Sequence, residues 1–455
     1  MTLMISRLFL RLAFSLVGSR VKDPFRVVFR NGSEYKNYSG NTSPRITLRF
    51  KDRRSEIWSA LFFYQGILEC YIEGGVDIEA EHPMETLTDI GRRAVAGNAS
   101  KGPGLAVLLI INPLMLIRYL WQERRQDNYP HEQAKKNAIF HYGYDPRFFE
   151  FMLGRTVGYS EGLWTPKTKT LDQAKHNNYE YICRKLMLKP GEKVIEVGAG
   201  WGFLPIYMVK KYGVEVTVYN PVPRQNEYMR KRFAAHGVAD KITLIEGDHR
   251  DISKRKGEFD KYVSIGVYEH AGLRKRQYKA WLKSISDALK PGGIGFISTT
   301  SFMRRGMTEF LVLKYIFPGG HIPSLPLTLS LMKKYGLNFI DVENFWPHYQ
   351  KTLMCWRDNV YKHWDEMHAL DPKTFNESFR RAWLMYLEGT VDVFEKRMDL
   401  SHILFTKGRH PEYYPWIRDG KFKADFREGE TPVECYSISE EPVLSPISRT
   451  ATMNA

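Results

Sequence analysis

An α/β fold, with a doubly wound sheet preceded by a smaller mixed domain, is predicted by three features of this 455-residue chain. From about residue 135 to 410, short apolar runs alternate with segments of helical length, the pattern of strands crossed by helices. The first of those runs ends in a cluster of glycines, as the opening turn of a Rossmann-like domain does. Residues 1–121 follow a different pattern, and a polar stretch separates them from the rest. At this length two domains are expected, each with enough core. The 43% hydrophobic and 14% aromatic content excludes a chain disordered throughout.

The chain opens with LMISRLFLRLAFSLV at residues 3–17, which carries Arg7 and Arg11 and is followed by no acid before Asp23. A secretory signal or a transit peptide is the lesser reading, because Arg11 interrupts the apolar run and no A-x-A-like cleavage site follows. Two readings stay open: a helix packed on its own domain, and an interfacial helix on anionic lipid. Residues 25–50 read as two strands around a polar, Gly/Ser/Asn-rich turn region, and 55–75 as a helix ending at Gly74-Gly75. This small mixed domain is expected to end near residue 100.

Gly104–Ile117 (GLAVLLIINPLMLI) is uncharged, yet it is shorter than the roughly 18–20 residues needed to span a bilayer. Pro113 also interrupts it. Arg118, Trp121, Arg124 and Arg125 follow at once, an edge that suits a helix dipping into an interface. A buried covering helix is the competing reading. The polar QERRQDNYPHEQAKK at 122–136 is the expected linker, which leaves 1–121 as an accessory, membrane-associating domain and 137–416 as the α/β domain. Its strands are expected at Val194–Val197, Val214–Tyr219, Ile242–Ile245, Tyr262–Ile265 and Ile294–Ser298. Residues 417–455 lose periodicity and read as a disordered tail.

The net charge of +16 implies an anionic partner, with nucleic acid and acidic lipid both open on that ground alone. The four cysteines form no C-x-x-C pair, so neither a disulfide framework nor a metal site is expected, and a reducing compartment suits them.

The most informative local signal is VIEVGAGWGFLPIY, residues 194–207. Its spacing is G-x-G-x-G (Gly198, Gly200, Gly202), with Glu196 two residues before the first glycine. Glycines let the backbone approach a ligand closely, and the following helix presents unpaired amides. A dinucleotide site would carry G-x-G-x-x-G. The form found here suits the methionine and ribose of S-adenosylmethionine, with Glu196 reaching the cofactor's polar groups. After the third strand, Asp248 and His249 stand where an acid could bond the adenine amine, a helix N-cap being the lesser reading of Asp248. The second strand ends in Tyr219-Asn220 rather than in the acid of nicotinamide enzymes.

A run of motifs then resembles one family, the cyclopropane-fatty-acyl-phospholipid synthases and mycolic-acid methyltransferases. They are HYGYDPRFF (141–149), GYSEGLW (158–164), the glycine turn, GVYEHAG (266–272), KYIFPGGHIPS (314–324) and HYQKTLMCW (348–356), while ECYIEGGVDIE (69–79) is similar to the accessory domain. HYGYDPRFF departs from the family's usual HYDLGNDFF. The resemblance implies a Rossmann-like S-adenosylmethionine-dependent methyltransferase domain. Its implied cofactor site adds Tyr159, Ser160, Ala199, Asn220 and Gln225 to the residues above. The implied substrate is an unsaturated acyl chain of a membrane phospholipid. The alkene attacks the sulfonium methyl, and a base removes a proton from the resulting cation before the ring closes. The protein orients reactants, shields the cation and supplies the base. Tyr268, Phe317 and Tyr349 could face the cation with their rings, core packing being the simpler reading for the first two.

In the family, a bicarbonate ion serves as base, held by a cysteine backbone, a glutamate, a histidine and a tyrosine. The glutamate matches Glu269 and the tyrosine Tyr349, but Glu161 stands at the cysteine position and Ser298 at the histidine position. A second carboxylate disfavours a bound anion and can itself accept a proton. Glu161 is therefore expected to replace bicarbonate, the competing reading being a rim residue with the ion retained. His270 beside Glu269 reads as an orienting group.

Rival readings keep the chemistry with a methyl- or methylene-branched product, keep the fold with a small-molecule amine acceptor, or drop catalysis for lipid binding. Nucleic-acid methylation fits the charge but lacks an N-P-P-Y-type signature. The implied location is cytoplasmic, peripheral on the inner face of an anionic membrane, with monomer and homo-oligomer both open.

Overall fold

The structure is a computed structural model that describes residues 3–96, 113–304 and 306–409. Two compact units divide it, one comprising residues 1–127, 308–319 and 353–397, the other 128–307, 320–352 and 398–455. The boundary after Asp127 falls inside the expected linker. The expected continuous 137–416 domain differs from this division, because two later segments return to the first unit. The expected tail lies outside the described residues, as does the 104–112 part of the apolar run.

The chain begins with α1 (Leu3–Gly18), followed by β1 (Phe25–Val28), β2 (Glu34–Lys36) and β3 (Ile46–Phe50). Then come α2 (Arg53–Ile72), β4 (Val76–Glu79), α3 (Pro83–Ala96) and α4 (Pro113–Arg125). The four strands form a mixed sheet in the order β2-β1-β3-β4. Asp52 accepts the Ser55 amide and starts α2 as an N-cap.

Both open questions about the apolar segments end in two-faced helices. α1 buries Leu10, Ala13 and Phe14, and Arg7 meets the buried Glu56 of α2 at 2.8 Å. Its other face exposes Met4, Ile5, Leu8 and Leu12. α4 buries Met115 and Tyr119 and anchors itself through Arg118, which reaches Glu69 at 2.8 Å and lies over the Phe62 ring. Leu114, Leu116, Ile117, Leu120 and Trp121 remain exposed. Among the described residues no helix is long and apolar enough to cross a membrane.

The second unit opens with α5 (His131–Tyr142), α6 (Pro146–Leu153) and α7 (Leu171–Lys185), the last started by a capping box of Thr170 and Gln173. β5 (Lys193–Val197), α8 (Phe203–Tyr212), β6 (Glu215–Asn220), α9 (Pro223–Ala235) and β7 (Ile242–Glu246) follow. Next are β8 (Phe259–Ile265), α10 (Lys275–Ala288) and β9 (Leu289–Ser301). After α11 (Phe310–Tyr315), which belongs to the first unit, come α12 (Leu325–Lys334), β10 (Leu337–Asn344) and α13 (Trp346–Lys362). α14 (Trp364–Leu370) and α15 (Glu377–Lys396), both of the first unit, and β11 (Asp399–Lys407) of the second are the last of the described elements.

The seven-stranded sheet runs β10-β11-β9-β8-β5-β6-β7, and β9, β8, β5, β6 and β7 are mutually parallel. All five expected strands are present. β11 inserts antiparallel between β9 and β10. Leu204, Met208, Val216 and Val263 pack one face, and Ile195, Tyr262, Leu282 and Ile403 the other. Both faces are covered, so ligands are met at the carboxyl ends of the parallel strands.

Candidate active site

A cavity of about 640 Å³ opens at the carboxyl ends of β5, β6 and β7. Of the expected cofactor residues, Tyr159, Ser160, Glu196, Gly198, Ala199, Gly200, Asn220, Gln225, Asp248 and His249 all line it. Gly202 does not, and its geometry explains why. At φ +83° it begins α8, and a Cβ there would stand 2.8 Å from Met229 and 2.9 Å from Phe233 of α9. Its lack of a side chain serves helix packing. Gly200, at φ +58°, is the reverse case: a Cβ would meet no protein atom within 4 Å, so the space above it is open to a ligand.

Glu196 is buried with no charged partner, which pushes its carboxyl up to about 8, and its Oε2 has no hydrogen-bond partner among the described residues. An unpaired buried oxygen of this kind awaits a donor. Asn220 donates to the side chains of Gln225 and Asn226, which fixes the end of β6. Asp248 is an N-cap, accepting the Arg250 amide, and it also holds the Arg250 guanidinium through both oxygens at 2.7 Å. Burial opposes its charge, yet His249 and Arg250 keep its carboxyl below the ordinary range. The His249 ring stacks on Trp281 with centroids 3.4 Å apart, and burial lowers it to about 3. His270 also lines the cavity, within 3.1 Å of the Tyr142 hydroxyl, and burial lowers it to about 4.

None of the four expected catalytic residues lines that cavity; Ser298 lies on β9, Glu161 and Glu269 meet that strand, and Tyr349 stands apart on α13. Ser298 donates to Glu161 Oε1 at 2.9 Å, while Thr300 donates to Glu269 Oε1 from its amide at 2.6 Å and its hydroxyl at 2.8 Å. Residues two apart on a strand share a face, so both carboxylates meet one side of β9. Asn178 of α7 also donates to Glu161. The remaining partner was not foreseen: His402 of β11 lies 2.7 Å from Glu161 Oε1. Burial opposes ionisation of Glu161, but the His402 hydrogen bond and charge overcome it and hold the carboxyl down at about 2. Glu269 is shifted the other way, upward, by burial that its Thr300 contacts only partly offset. Its Oε2 has no partner among the described residues.

Tyr349 sits half-buried in the first turn of α13. Neighbouring residues tie that helix to the GYSEGLW loop: Gly162 donates its amide to Thr352, and the Trp164 amide donates to His348 Nδ1. Tyr268 is fully buried against Trp281, and Phe317 packs edge-on against Tyr386, so packing accounts for both. His402 could have been sought as a lone histidine in the apolar strand LSHILFT; its pairing with Glu161 has no local signature.

An open glycine turn, an unpartnered acid at the end of β5 and a cavity at the strand ends define the S-adenosylmethionine-dependent methyltransferases. The family model for mycolic acid cyclopropane synthetase matches residues 130–403, and the chain belongs to that family. A probable fatty acid methyltransferase of Pseudomonas putida is 32% identical over 296 residues, 62% of this chain and 73% of that protein. The cyclopropane-fatty-acyl-phospholipid synthase of Escherichia coli K12 is 30% identical over 284 residues, 61% and 70% of the two chains. Among solved structures, the mycolic acid cyclopropane synthase CmaA1 complexed with SAH and CTAB aligns with TM-score 0.55 and 25% identity, covering 61% of this chain and 99% of that one. The protein is thus a lipid methyltransferase of the cyclopropane synthase type that uses S-adenosylmethionine.

Proposed function

We propose that this enzyme methylates the double bond of an unsaturated phospholipid acyl chain, and that Glu161 rather than bicarbonate accepts the proton lost afterwards. S-adenosylmethionine supplies an activated methyl group. Glu196, Gly198, Gly200 and the amides opening α8 would hold its methionine end, with Asn220, Gln225, Asp248 and His249 around its ribose and adenine. The observation that carries the reading is the buried Glu161 carboxylate, fixed by Ser298, Asn178 and His402. A proton beside a carbocation is acidic enough that its acceptor need only be ionised and in reach, so a carboxyl held at about 2 is fit for this task. A second carboxylate also disfavours an added anion beside Glu269.

Because this pair departs from the family's ion cage, a methyl- or methylene-branched product is the second reading. Mass spectrometry of total fatty acids from cells expressing the protein, fed labelled methionine, tests both. A labelled chain gaining one carbon is expected, and fragmentation of the derivatised chain separates a ring from a branch. Label confined to small amines would overturn the lipid assignment.

The location proposed is peripheral, on the inner face of an anionic membrane. The exposed apolar faces of α1 and α4 support it, as does the Arg125 guanidinium 4.5 Å over the exposed Trp121 ring. Fully burying one such side chain is worth roughly 1.5–3 kcal/mol, so shallow insertion of several is enough for reversible docking.

A further inference from the structure

We infer that His402 is a positioning residue for this reaction, which keeps Glu161 anionic and fixed on β9; the inference rests on the reading of Glu161 as proton acceptor. His402 and Ser298 are directly paired across the β11–β9 ladder, so their side chains leave the same face of the sheet. There Ser298 Oγ and His402 Nε2 converge on one oxygen, Glu161 Oε1, at 2.9 and 2.7 Å. An ionised carboxylate only accepts, so Nε2 is the donor. Both members of the pair are 1% exposed, where an isolated carboxylate would be forced towards its neutral form. A neutral carboxyl cannot take a proton from the substrate cation.

The imidazole itself is held in place. It stacks on Phe345 with centroids 3.9 Å apart and a 20° interplanar angle, and Phe296 meets it edge-on at 5.0 Å. The other titratable groups around the pair are Lys175, Tyr179 and Tyr181 on α7 and His348 on α13. Of the side chains shown to hydrogen-bond the Glu161 carboxylate, His402 has the shortest contact, 2.7 Å against 2.9 Å for Ser298 and 3.2 Å for Asn178. A histidine absent from the β9 position is thereby replaced from the adjacent strand, and its partner becomes a protein carboxylate.

The test compares His402→Phe, His402→Gln and Glu161→Gln with the wild-type enzyme on unsaturated phospholipid vesicles. Phe retains the aromatic stacking but removes the donor, whereas Gln retains a donor without the ring. In His402→Phe, kcat should acquire a new acid limb, lost as pH falls, with its midpoint at least about one unit above any wild-type limb. His402→Gln should restore part of the difference, and cofactor affinity should stay within about threefold in both. A purely structural role would lower kcat by one factor at every pH, and that result would overturn the inference. If Glu161→Gln is fully active, the underlying reading fails instead. Should His402→Phe not fold, NMR of histidine-labelled enzyme decides. Glu161→Gln must then shift the His402 ring signals and Glu269→Gln must not; unshifted signals in Glu161→Gln would overturn the pairing.

Discussion

Ser298 and Thr300 stand two residues apart on one face of β9, and each donates its hydroxyl to a different glutamate. Ser298 holds Glu161 and Thr300 holds Glu269. The two carboxyls are nevertheless driven in opposite directions, Glu161 downward by His402 and Glu269 upward by burial. Such divergence within one site separates an anion from a group that retains its proton more readily.

Glu161→Gln preserves volume and hydrogen-bonding reach while removing the basic oxygen. Turnover should fall by about 10²–10⁴, the range for loss of a general base, with cofactor binding nearly unchanged. Added bicarbonate should not stimulate the wild-type enzyme. Strong bicarbonate dependence together with an active Glu161→Gln would show that the ion still serves as base.

Gly200 and Gly202 should respond differently to an added side chain. Gly200→Val projects into open space above the turn, so calorimetry should show weakened S-adenosylmethionine binding, with strain at its positive φ as a lesser cost. Gly202→Ala drives a methyl into Met229 and Phe233, so its melting temperature should fall, by the equivalent of about 1–3 kcal/mol, while affinity in the folded enzyme persists. Unchanged affinity in Gly200→Val would count against the assigned cradle.

Cofactor binding should release a proton near neutral pH. Glu196, raised to about 8, is mainly protonated in the free enzyme at pH 7, and a cationic ligand beside it favours the ionised form. Affinity should therefore rise as pH increases from 6 to 8, and calorimetry in buffers of different ionisation enthalpy should detect the released proton. Glu196→Gln should abolish that release. Equal heats across buffers would remove Glu196 from contact with the cofactor's charge.

Vesicle binding should need both charge and the apolar faces. Co-sedimentation with anionic vesicles should exceed that with neutral ones and should weaken with salt, given the net charge of +16. Leu8→Glu and Ile117→Glu, at exposed positions, should lower it without altering cofactor binding. Equal sedimentation on neutral and anionic vesicles at low salt would show that charge plays no part in docking.

The sequence determined the parts of this protein that are written locally. Alternating apolar runs marked β5 to β9, the glycine spacing marked the cofactor turn, and the motifs around Glu161, Glu269 and Tyr349 marked the family, because period, turn chemistry and motif each lie within a few consecutive residues. It could not say which face of α1 or α4 was covered, since a segment apolar on several sides satisfies packing and exposure alike. It also left unmarked the return of residues 308–319 and 353–397 to the first unit, which depends on contacts far apart in the chain. Only the tertiary structure decided the partner of Glu161. His402 lies 241 residues further on, and it reaches the carboxylate because β11 enters the sheet antiparallel beside β9 in the register that pairs it with Ser298. A shift of one residue in that ladder would turn the imidazole to the opposite face, so strand pairing, not local sequence, put the histidine there.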